Sequence, residues 1–532
     1  MGEFFREDLK TILFEKNDYA SGASSKTGKL IHGGLRYLKH AQFKLVFVSC
    51  LERHRMLNVI APHIVRPCRF VFPFFKSSKH SLWFVALLLF CYDLLSFFRN
   101  ISTFKAISRD SLVEMEPTLL SKESKGALSY YDCTALDTRL TIDTLKSAVS
   151  QGAQVFSYTK VNNIRFVSEG VAIKIYDRID QKYYQIKSQT VVNATGVWAD
   201  DLMKMAKLEK KFNLKMTSGI HLIFKNKKVP INNPVVLEAV KDNRFLYIVP
   251  WENFTILGTT DRFYDGDKDN LFIRKDEVDY LLATINYYFP SLKLSLKDIV
   301  NITTGIRSLV GNSMEKSETQ ISRDYQIMVN HRGMLSVTGG KLTTYRHIAQ
   351  KTVDKLVKEF FKDKKIKACS TISPISGADI RTIDMKKLLE IYSVDEPTLD
   401  RLLWRYGSNA LAILEIAEKD KNKYNKINDD LSYIWGELHY IIENEHAEKL
   451  ADVLCRRTLI SLTNPIPEQN TLNKIASFMG DMNGWNKQRI KEEIDHYISI
   501  VTYNRMQTQI GANSIADRAG RHTKRLEPET DG

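Results

Sequence analysis

Lys29 to Leu38, reading KLIHGGLRYL, brings a histidine, two adjacent glycines, an arginine and a tyrosine into one short stretch. Gly33 and Gly34 let backbone come close to a flat ligand where a side chain would obstruct it. Arg36 can fork two hydrogen bonds onto a phosphate, and His32 can move a proton near neutral pH. A glycine turn capping a surface helix would use the same residues. Three more cations stand at the ends of predicted elements: Arg307 in GIRSL, Arg323 in SRDY and Lys341 in GGKLTTYR. A doubly charged phosphate ester needs several such groups to offset its desolvation, although any one alone is more often a surface or salt-bridged residue. His32 and His221, the latter in TSGIHLIF, are the candidates for taking a proton from an alcohol oxygen. The sequence does not rank them.

The predicted elements place these residues at turns. Residues 10 to 65 read as a strand, a glycine loop and a long helix from about Leu35 to Ile60, stopped by Pro62. Ala127 to Tyr158 reads as a β-α-β unit whose helix ends at Gly152. Alternating strands follow, then the apolar strand TVVNATG, whose small-residue turn NATGVWAD lets backbone pass a ligand or merely joins a strand to a helix. Residues 215 to 310 are rich in strand signals (HLIF, PVVLEAV, FLYIVPW, FTILGTT). In MLSVTGGKLTTYR a strand meets a double glycine and a helix start. Gly339 and Gly340 expose N–H groups there, and Lys341 with Thr343 and Thr344 opens the helix. After about residue 370 the pattern turns helical.

Composition narrows the function classes. The 532 residues allow two to four domains. A formal net charge of +15 favours anionic partners. That charge is spread along the chain without a nucleic-acid-binding motif, so a phosphorylated substrate and a membrane surface fit better than nucleic acid. Six cysteines without paired spacing argue against a metal site and a disulfide framework. The apolar run SLWFVALLLFCY, Ser81 to Tyr92, is too short for a bilayer span of about twenty residues. It reads either as a core helix or as a helix lying in the membrane interface.

With EKNDYASGASS before KLIHGGLRYL, and VVNATGVWADDL, GTTD, GIRSL, SRDY and GGKLTTYR after it, the chain resembles the FAD-dependent glycerol-3-phosphate dehydrogenases from about Thr11 to about residue 510. The resemblance implies an α/β (α+β) fold: a Rossmann-like FAD-binding domain, an antiparallel-sheet substrate domain and a C-terminal α-helical domain. The expected boundaries are residues 1–65 with 111–214 and 301–368 for the FAD-binding domain. The substrate or cap domain takes 66–110 and 215–300, with its apolar membrane-contact segment. The helical domain takes 369–510, and a disordered tail follows at 511–532.

The resemblance assigns cofactor contacts to Glu15, which would hold the adenosine ribose, and to Ser24, Ser25, Lys29, Leu30, His32, Gly33, Gly34, Ala194, Thr195, Gly196, Trp198, Asp261, Gly340, Lys341, Leu342 and Thr343. It assigns substrate phosphate and hydroxyls to Arg36, Tyr37, Arg307, Arg323, Lys341 and Thr344, with His32, His221 and Arg307 as catalytic groups and no metal. It implies oxidation of glycerol 3-phosphate to dihydroxyacetone phosphate, with hydride passing to the flavin and electrons to quinone or, in oxidase relatives, to oxygen. It further implies a peripheral place on the cytoplasmic side of a membrane or in the cytoplasm, or at the mitochondrial inner membrane in a eukaryote, and leaves a homodimer open. One departure stands out. The family's opening strand and Gly-x-Gly-x-x-Gly turn have no counterpart here, since no such glycine pattern occurs in the sequence. Those glycines seat a dinucleotide's pyrophosphate on a helix N-terminus, so a principal FAD anchor is absent from the reading. The alternative function is that of a flavin-poor family member acting as a binding or structural protein.

Overall fold

The computed structural model describes residues 9–509 except 98, 121–122, 210–211, 213, 243, 311–322, 331, 363–371 and 430. The side chains of 36, 39, 40 and 503–509 also lie outside the description. The expectations for the Arg36 side chain and for the tail at 511–532 therefore fall outside the described residues.

The chain opens with strand β1 (Ile12–Phe14), followed by the glycine loop and β2 (Leu30–Ile31). The long helix expected from Leu35 to Ile60 is instead three pieces: a 3-10 turn at Leu35–His40, helix α1 (Phe43–Arg55) and a π-turn at Met56–Ile60. Ala41 breaks it, because its φ of 53° is left-handed and cannot continue a right-handed helix. Strand β3 (Val65–Phe75) leads to helix α2 (Leu82–Leu95), whose first turn is capped by Ser81 accepting from the Phe84 N–H at 3.2 Å. Strands β4 (Lys105–Ile107) and β5 (Ser124–Ala135) precede the helix Asp137–Ser150 and β6 (Gln154–Phe156). A three-stranded meander, β7 (Thr159–Val167), β8 (Gly170–Asp177) and β9 (Lys182–Ser188), then leads into β10 (Val191–Asn193).

The long strand β11 (Lys215–Lys225) is followed by β12 (Val235–Glu238), β13 (Phe245–Trp251), β14 (Phe254–Gly258), β15 (Arg262–Phe263) and, after a helix at Lys275–Tyr288, β16 (Ile299–Leu309). These strands join β3, β5, β2 and β4 in one ten-stranded sheet. β5 and β16 thus hydrogen-bond into the large sheet with the strands between them. Val71, Leu222 and Leu257 of the sheet pack with Ile285 and Phe289 of the covering helix segment in the largest core cluster, and β11, β12 and β14 are buried at successive positions, so the middle of the sheet is covered on both faces.

The remaining parallel strands form two smaller sheets. β1 pairs with β6, Ile12 opposite Gln154 and Phe14 opposite Phe156. β10 pairs in parallel with β18 (Met334–Gly339), which also carries the antiparallel β17 (Tyr325–Asn330). Parallel strands are ordinarily buried on both faces and paired on both edges. Among the described residues, β1 has β6 as its ladder partner and β10 has β18, so each keeps one unladdered edge. Both strands line one cavity of about 2050 Å³.

From residue 385 onward the chain is mainly helical, with the two short strands Lys426–Asn428 and Leu431–Ile434. Buried ion pairs tie this region to the rest. Arg457 donates two hydrogen bonds to Asp18 at 2.6 and 2.8 Å, and Arg456 also holds that carboxylate. Arg139 forks onto Glu445 at 2.6 and 2.7 Å. Burial works against the charge on Asp18, but the two guanidiniums outweigh it and hold the carboxyl below its usual range.

Helix α2 has one buried and one exposed apolar face. Val85, Leu89 and Tyr92 are buried against the body, while Trp83, Leu87, Phe90 and Leu94 are 83, 60, 51 and 52% exposed along one helical stripe. None of the helices among the described residues is long and apolar enough to cross a membrane.

Candidate active site

Two neighbouring constellations emerge. The first centres on Asp261, just past the end of β14. Arg307, on β16, donates to Asp261 Oδ1 at 3.2 Å and to the Thr259 hydroxyl at 2.9 Å, and Arg323 holds Oδ2. Arg244 reaches the Asp261 carbonyl at 2.8 Å. Strand register explains the meeting: Thr217 lies opposite both Arg307 on one side and Phe263 on the other, so the β16 arginine and the loop before β15 flank the same part of β11. Gly219 lies beneath, where a side chain would run into the Arg307 guanidinium. Asp261, expected among the cofactor contacts, is thus the shared anion of two cations.

His221 is buried on β11, opposite Gly258 and Thr303. Gly258 has to be a glycine, since a Cβ there would collide with the imidazole. Burial lowers the His221 pKa to about 3, with Arg307 and Lys29 adding repulsion. Its Nδ1 meets no hydrogen-bonding partner among the described residues. A neutral imidazole in this position is a hydrogen-bonding group rather than a reservoir for a proton.

The glycine turn makes the second wall. Gly34 adopts φ 88°, a left-handed conformation in which a Cβ would strike the Tyr37 ring. Lys341 lies over that same ring at 4.6 Å, a cation–π contact. The His32 N–H donates to the Thr343 hydroxyl at 3.3 Å, stitching the turn to the start of the helix Tyr345–Phe360. Tyr325 sits opposite Gly339 in the β17–β18 ladder, so Arg323 and Lys341 leave from adjacent strand ends. The Thr344 hydroxyl is turned back and donates to the Lys341 carbonyl at 3.2 Å.

The large cavity collects another part of the expected residues: Glu15, Ser24, Ser25, Lys29, Ala194, Thr195, Gly196 and Trp198. His32, Gly33, Gly34, Gly340, Leu342 and Thr343 sit in the adjoining stitched wall, and Leu30 is taken up in β2, facing Thr134 of β5. Burial raises the Glu15 carboxyl above its usual range. Lys29 is committed to structure, paired with Asp137 at 2.6 Å. Trp198 is covered by the Lys16 ammonium at 4.0 Å.

Sequence reasoning passed over Lys26 and Arg456, which also line the cavity. Protein surrounds Lys26 although its surface opens into the cavity, and that burial, with Arg456 and Lys29 near, lowers its pKa. It also passed over Thr259, and over Arg53, Tyr92 and Asp132 beneath the glycine turn. Adjacency to GASS was the available signal for Lys26, and membership of GTTD for Thr259; Arg53, Tyr92 and Asp132 carry no local pattern.

The profile of a family described as FAD dependent oxidoreductase matches residues 5–346. That span takes in the parallel strands, the glycine turn and the cationic cluster, and the class they define is an FAD-dependent oxidoreductase. A second profile, the C-terminal domain of alpha-glycerophosphate oxidase, matches residues 369–490. The chain is 31% identical over 521 residues to the aerobic glycerol-3-phosphate dehydrogenase of Staphylococcus aureus (strain bovine RF122 / ET3-1), covering 94% of this chain and 92% of that one. The X-ray structure of the glycerol-3-phosphate dehydrogenase from Bacillus halodurans, complexed with FAD, matches with a TM-score of 0.77 at 26% identity, over 94% of this chain and 92% of that one. The L-alpha-glycerophosphate oxidase of Mycoplasma pneumoniae shares the fold, with a TM-score of 0.52 at 18% identity, over 70% of this chain and 92% of that one. The chain belongs to the FAD-dependent glycerol-3-phosphate dehydrogenase family.

FAD is therefore its cofactor, and the residues present suit it unevenly. The cavity volume of about 2050 Å³ exceeds the roughly 300–1,000 Å³ of ordinary ligand sites. Glu15 could accept from ribose hydroxyls, the Ala194–Gly196 turn could pass close to the dinucleotide, and Lys26 with Arg456 could offset diphosphate charge. Among the described residues, no glycine turn lies between the open edges of β1 and β10 to seat that diphosphate.

Proposed function

We propose that the protein oxidises sn-glycerol 3-phosphate at C2 to dihydroxyacetone phosphate and passes the electrons to a membrane quinone. The observation that carries this reading is the convergence of Arg307 and Arg323 on Asp261 beside His221 and the glycine turn. FAD, when bound, supplies the two-electron acceptor for the hydride leaving C2. Arg307 and Arg323 take the substrate phosphate, each exchanging part of its pairing with Asp261 for charge-assisted bonds to phosphate oxygens. Lys341, stacked on Tyr37, adds positive charge on the glycine-turn side. The neutral imidazole of His221 donates its ring N–H to the C2 hydroxyl oxygen and orients it. His32, on the glycine turn, takes the proton that the hydroxyl must lose as the carbonyl forms. The exposed stripe on α2 supports docking at a bilayer surface, where a quinone is available. Four large apolar side chains in one row are what a helix lying in the interface presents.

The open edges of β1 and β10 favour a second reading, a family member that holds FAD weakly and serves as a binding protein. One assay separates the outcomes. Protein supplied with FAD and glycerol 3-phosphate, with a short-chain quinone as acceptor, should form dihydroxyacetone phosphate in step with quinone reduction. Product formed with hydrogen peroxide in place of reduced quinone would assign oxygen as acceptor, and no product would favour the second reading. Leu87→Ser with Phe90→Ser should release the protein from anionic vesicles in a flotation assay; unchanged flotation would remove α2 from membrane contact.

A further inference from the structure

A buried hydrogen-bond network lies directly under the glycine turn. The Gly33 N–H donates to the Tyr92 hydroxyl at 2.8 Å and also to Asp132 Oδ1 at 3.2 Å. The Tyr92 hydroxyl donates in turn to Asp132 Oδ1 at 2.7 Å and accepts from Arg53 at 3.0 Å. Arg53 also grips Asp132, the Tyr131 carbonyl at 3.2 Å, and Asn100. All three side chains are buried. Burial and the Asp132 charge push the Tyr92 hydroxyl well above its usual pKa, so it stays a donor. Each group belongs to a different element: Arg53 to α1, Tyr92 to α2, Asp132 to β5 and Gly33 to the turn.

The turn leaves little freedom about how it sits on this base. A Cβ at Gly33 would collide with the Tyr92 hydroxyl and the Cys50 sulfur. The neighbouring His32 N–H is fixed on the other side by Thr343. A backbone amide held from below by two acceptors, one anionic, has its peptide plane set by them. The opposite face of that plane, and the direction of the His32 and Gly34 backbone, follow from it. Packing alone would not need the hydroxyl: a phenylalanine would fill the same space between Val85, Leu89 and the Tyr130 ring, which meets Tyr92 edge-on at 6.1 Å. The hydroxyl is what reaches the amide.

We propose that Tyr92 is a positioning residue: its hydroxyl, oriented by Asp132 and Arg53, fixes the Gly33 peptide and so presents the His32–Gly34 backbone to the bound cofactor. The cofactor part of this proposal rests on the reading of the turn as part of the flavin site. Tyr92 touches neither substrate nor cofactor and acts through Gly33. It lies on the inner face of the helix whose outer face carries the exposed stripe, so the element offered to the bilayer is also the one that pins the turn.

Tyr92→Phe in the full chain tests this, because it keeps the ring and deletes the hydroxyl. Hydrogen exchange of the segment 30–38 should quicken about tenfold, and titration with FAD should give a dissociation constant raised by about tenfold. Asp132→Asn should move both readouts in the same direction. Ser81→Ala is the control, since Ser81 caps the first turn of α2 at the Phe84 N–H, outside the network under the turn; it should leave the exchange of 30–38 unchanged. Unchanged exchange of 30–38 in Tyr92→Phe would overturn the proposal, and so would equal quickening in Ser81→Ala, which would mark a general loosening. The exchange readout needs no bound flavin. Failure of wild-type protein to take up FAD would count against the cofactor reading, with the exchange result still deciding the role of Tyr92.

Discussion

The side proposed for the substrate and the side proposed for the dinucleotide are held together by different means. On the first, Arg307 and His221 are placed by strand register in a ten-stranded sheet with a large apolar core, Asp261 lies in the loop after β14, and Arg323 reaches it from just before β17 in a neighbouring sheet. On the dinucleotide side, β1 and β10 line a cavity of about 2050 Å³ and keep open edges. Helical residues from the C-terminal region reach in to hold the loop after β1 through buried ion pairs. The first rests on one large apolar core. The second rests on several smaller apolar clusters, with buried charged contacts from the C-terminal region, and a bound dinucleotide would add the most to it.

The largest expected effect strikes at the weaker side. Asp18→Asn leaves Arg457 buried without its carboxylate partner and Arg456 with Asp452 alone, and breaking a buried pair in this way costs about 3–5 kcal/mol. Urea unfolding should show that loss; a change below about 1 kcal/mol would mean the C-terminal contact does not carry the dinucleotide side. The substrate side should respond to acid. His221 has a native pKa of about 3 against an ordinary value near 6.5. Between those values the unfolded chain binds a proton that the folded chain refuses. The stability this contributes is whole above about pH 6.5 and drains as the pH falls toward 3. By pH 4 the loss from this one group is about 3 kcal/mol. His221→Gln should flatten that limb of the stability profile, and an identical limb in the variant would contradict the burial of His221.

Saturating FAD should sharpen the contrast next. At a free concentration one hundred times its dissociation constant, a ligand bound only by the folded state adds about 2.7 kcal/mol. The protection from proteolysis should concentrate on residues 9–30 and 190–200. Equal protection across the large sheet would erase the distinction between the two sides. The smallest effect tests one cation: Arg307→Ala should lower kcat/KM for glycerol 3-phosphate at least tenfold, about 1.4 kcal/mol. An unchanged value would remove Arg307 from the phosphate site.

How much of this was legible in the sequence depends on the range of the interaction. Gly33, Gly34, Gly339 and Gly340 announced close backbone approaches because residue type alone demands them, and Arg307, Arg323 and Lys341 stood at element ends where charges collect. The strands around His221 were readable from strand signals such as HLIF and FTILGTT. The sharing of Asp261 by two arginines was not, because the partners lie 46 and 62 residues away and only strand register brings them together. The break at Ala41 was invisible for a different reason: alanine is a good helix former, yet here it takes φ 53° in a turn closed by bonds from the Ala41 N–H to the Leu38 carbonyl and from the Gln42 N–H to the Tyr37 carbonyl. Tyr92 was hidden in an apolar run, where its hydroxyl looked incidental. Asp93, the residue that follows that run, accepts from the Phe104 N–H at 3.0 Å.

Anaerobic titration with FAD, followed by glycerol 3-phosphate, tests the central claim most directly. The protein should take up one flavin per chain, and the yellow absorption should bleach on addition of the phosphorylated alcohol and not of glycerol. Flavin that binds but keeps its colour with glycerol 3-phosphate, or bleaches equally with glycerol, would contradict the assignment of the arginine cluster to the substrate phosphate.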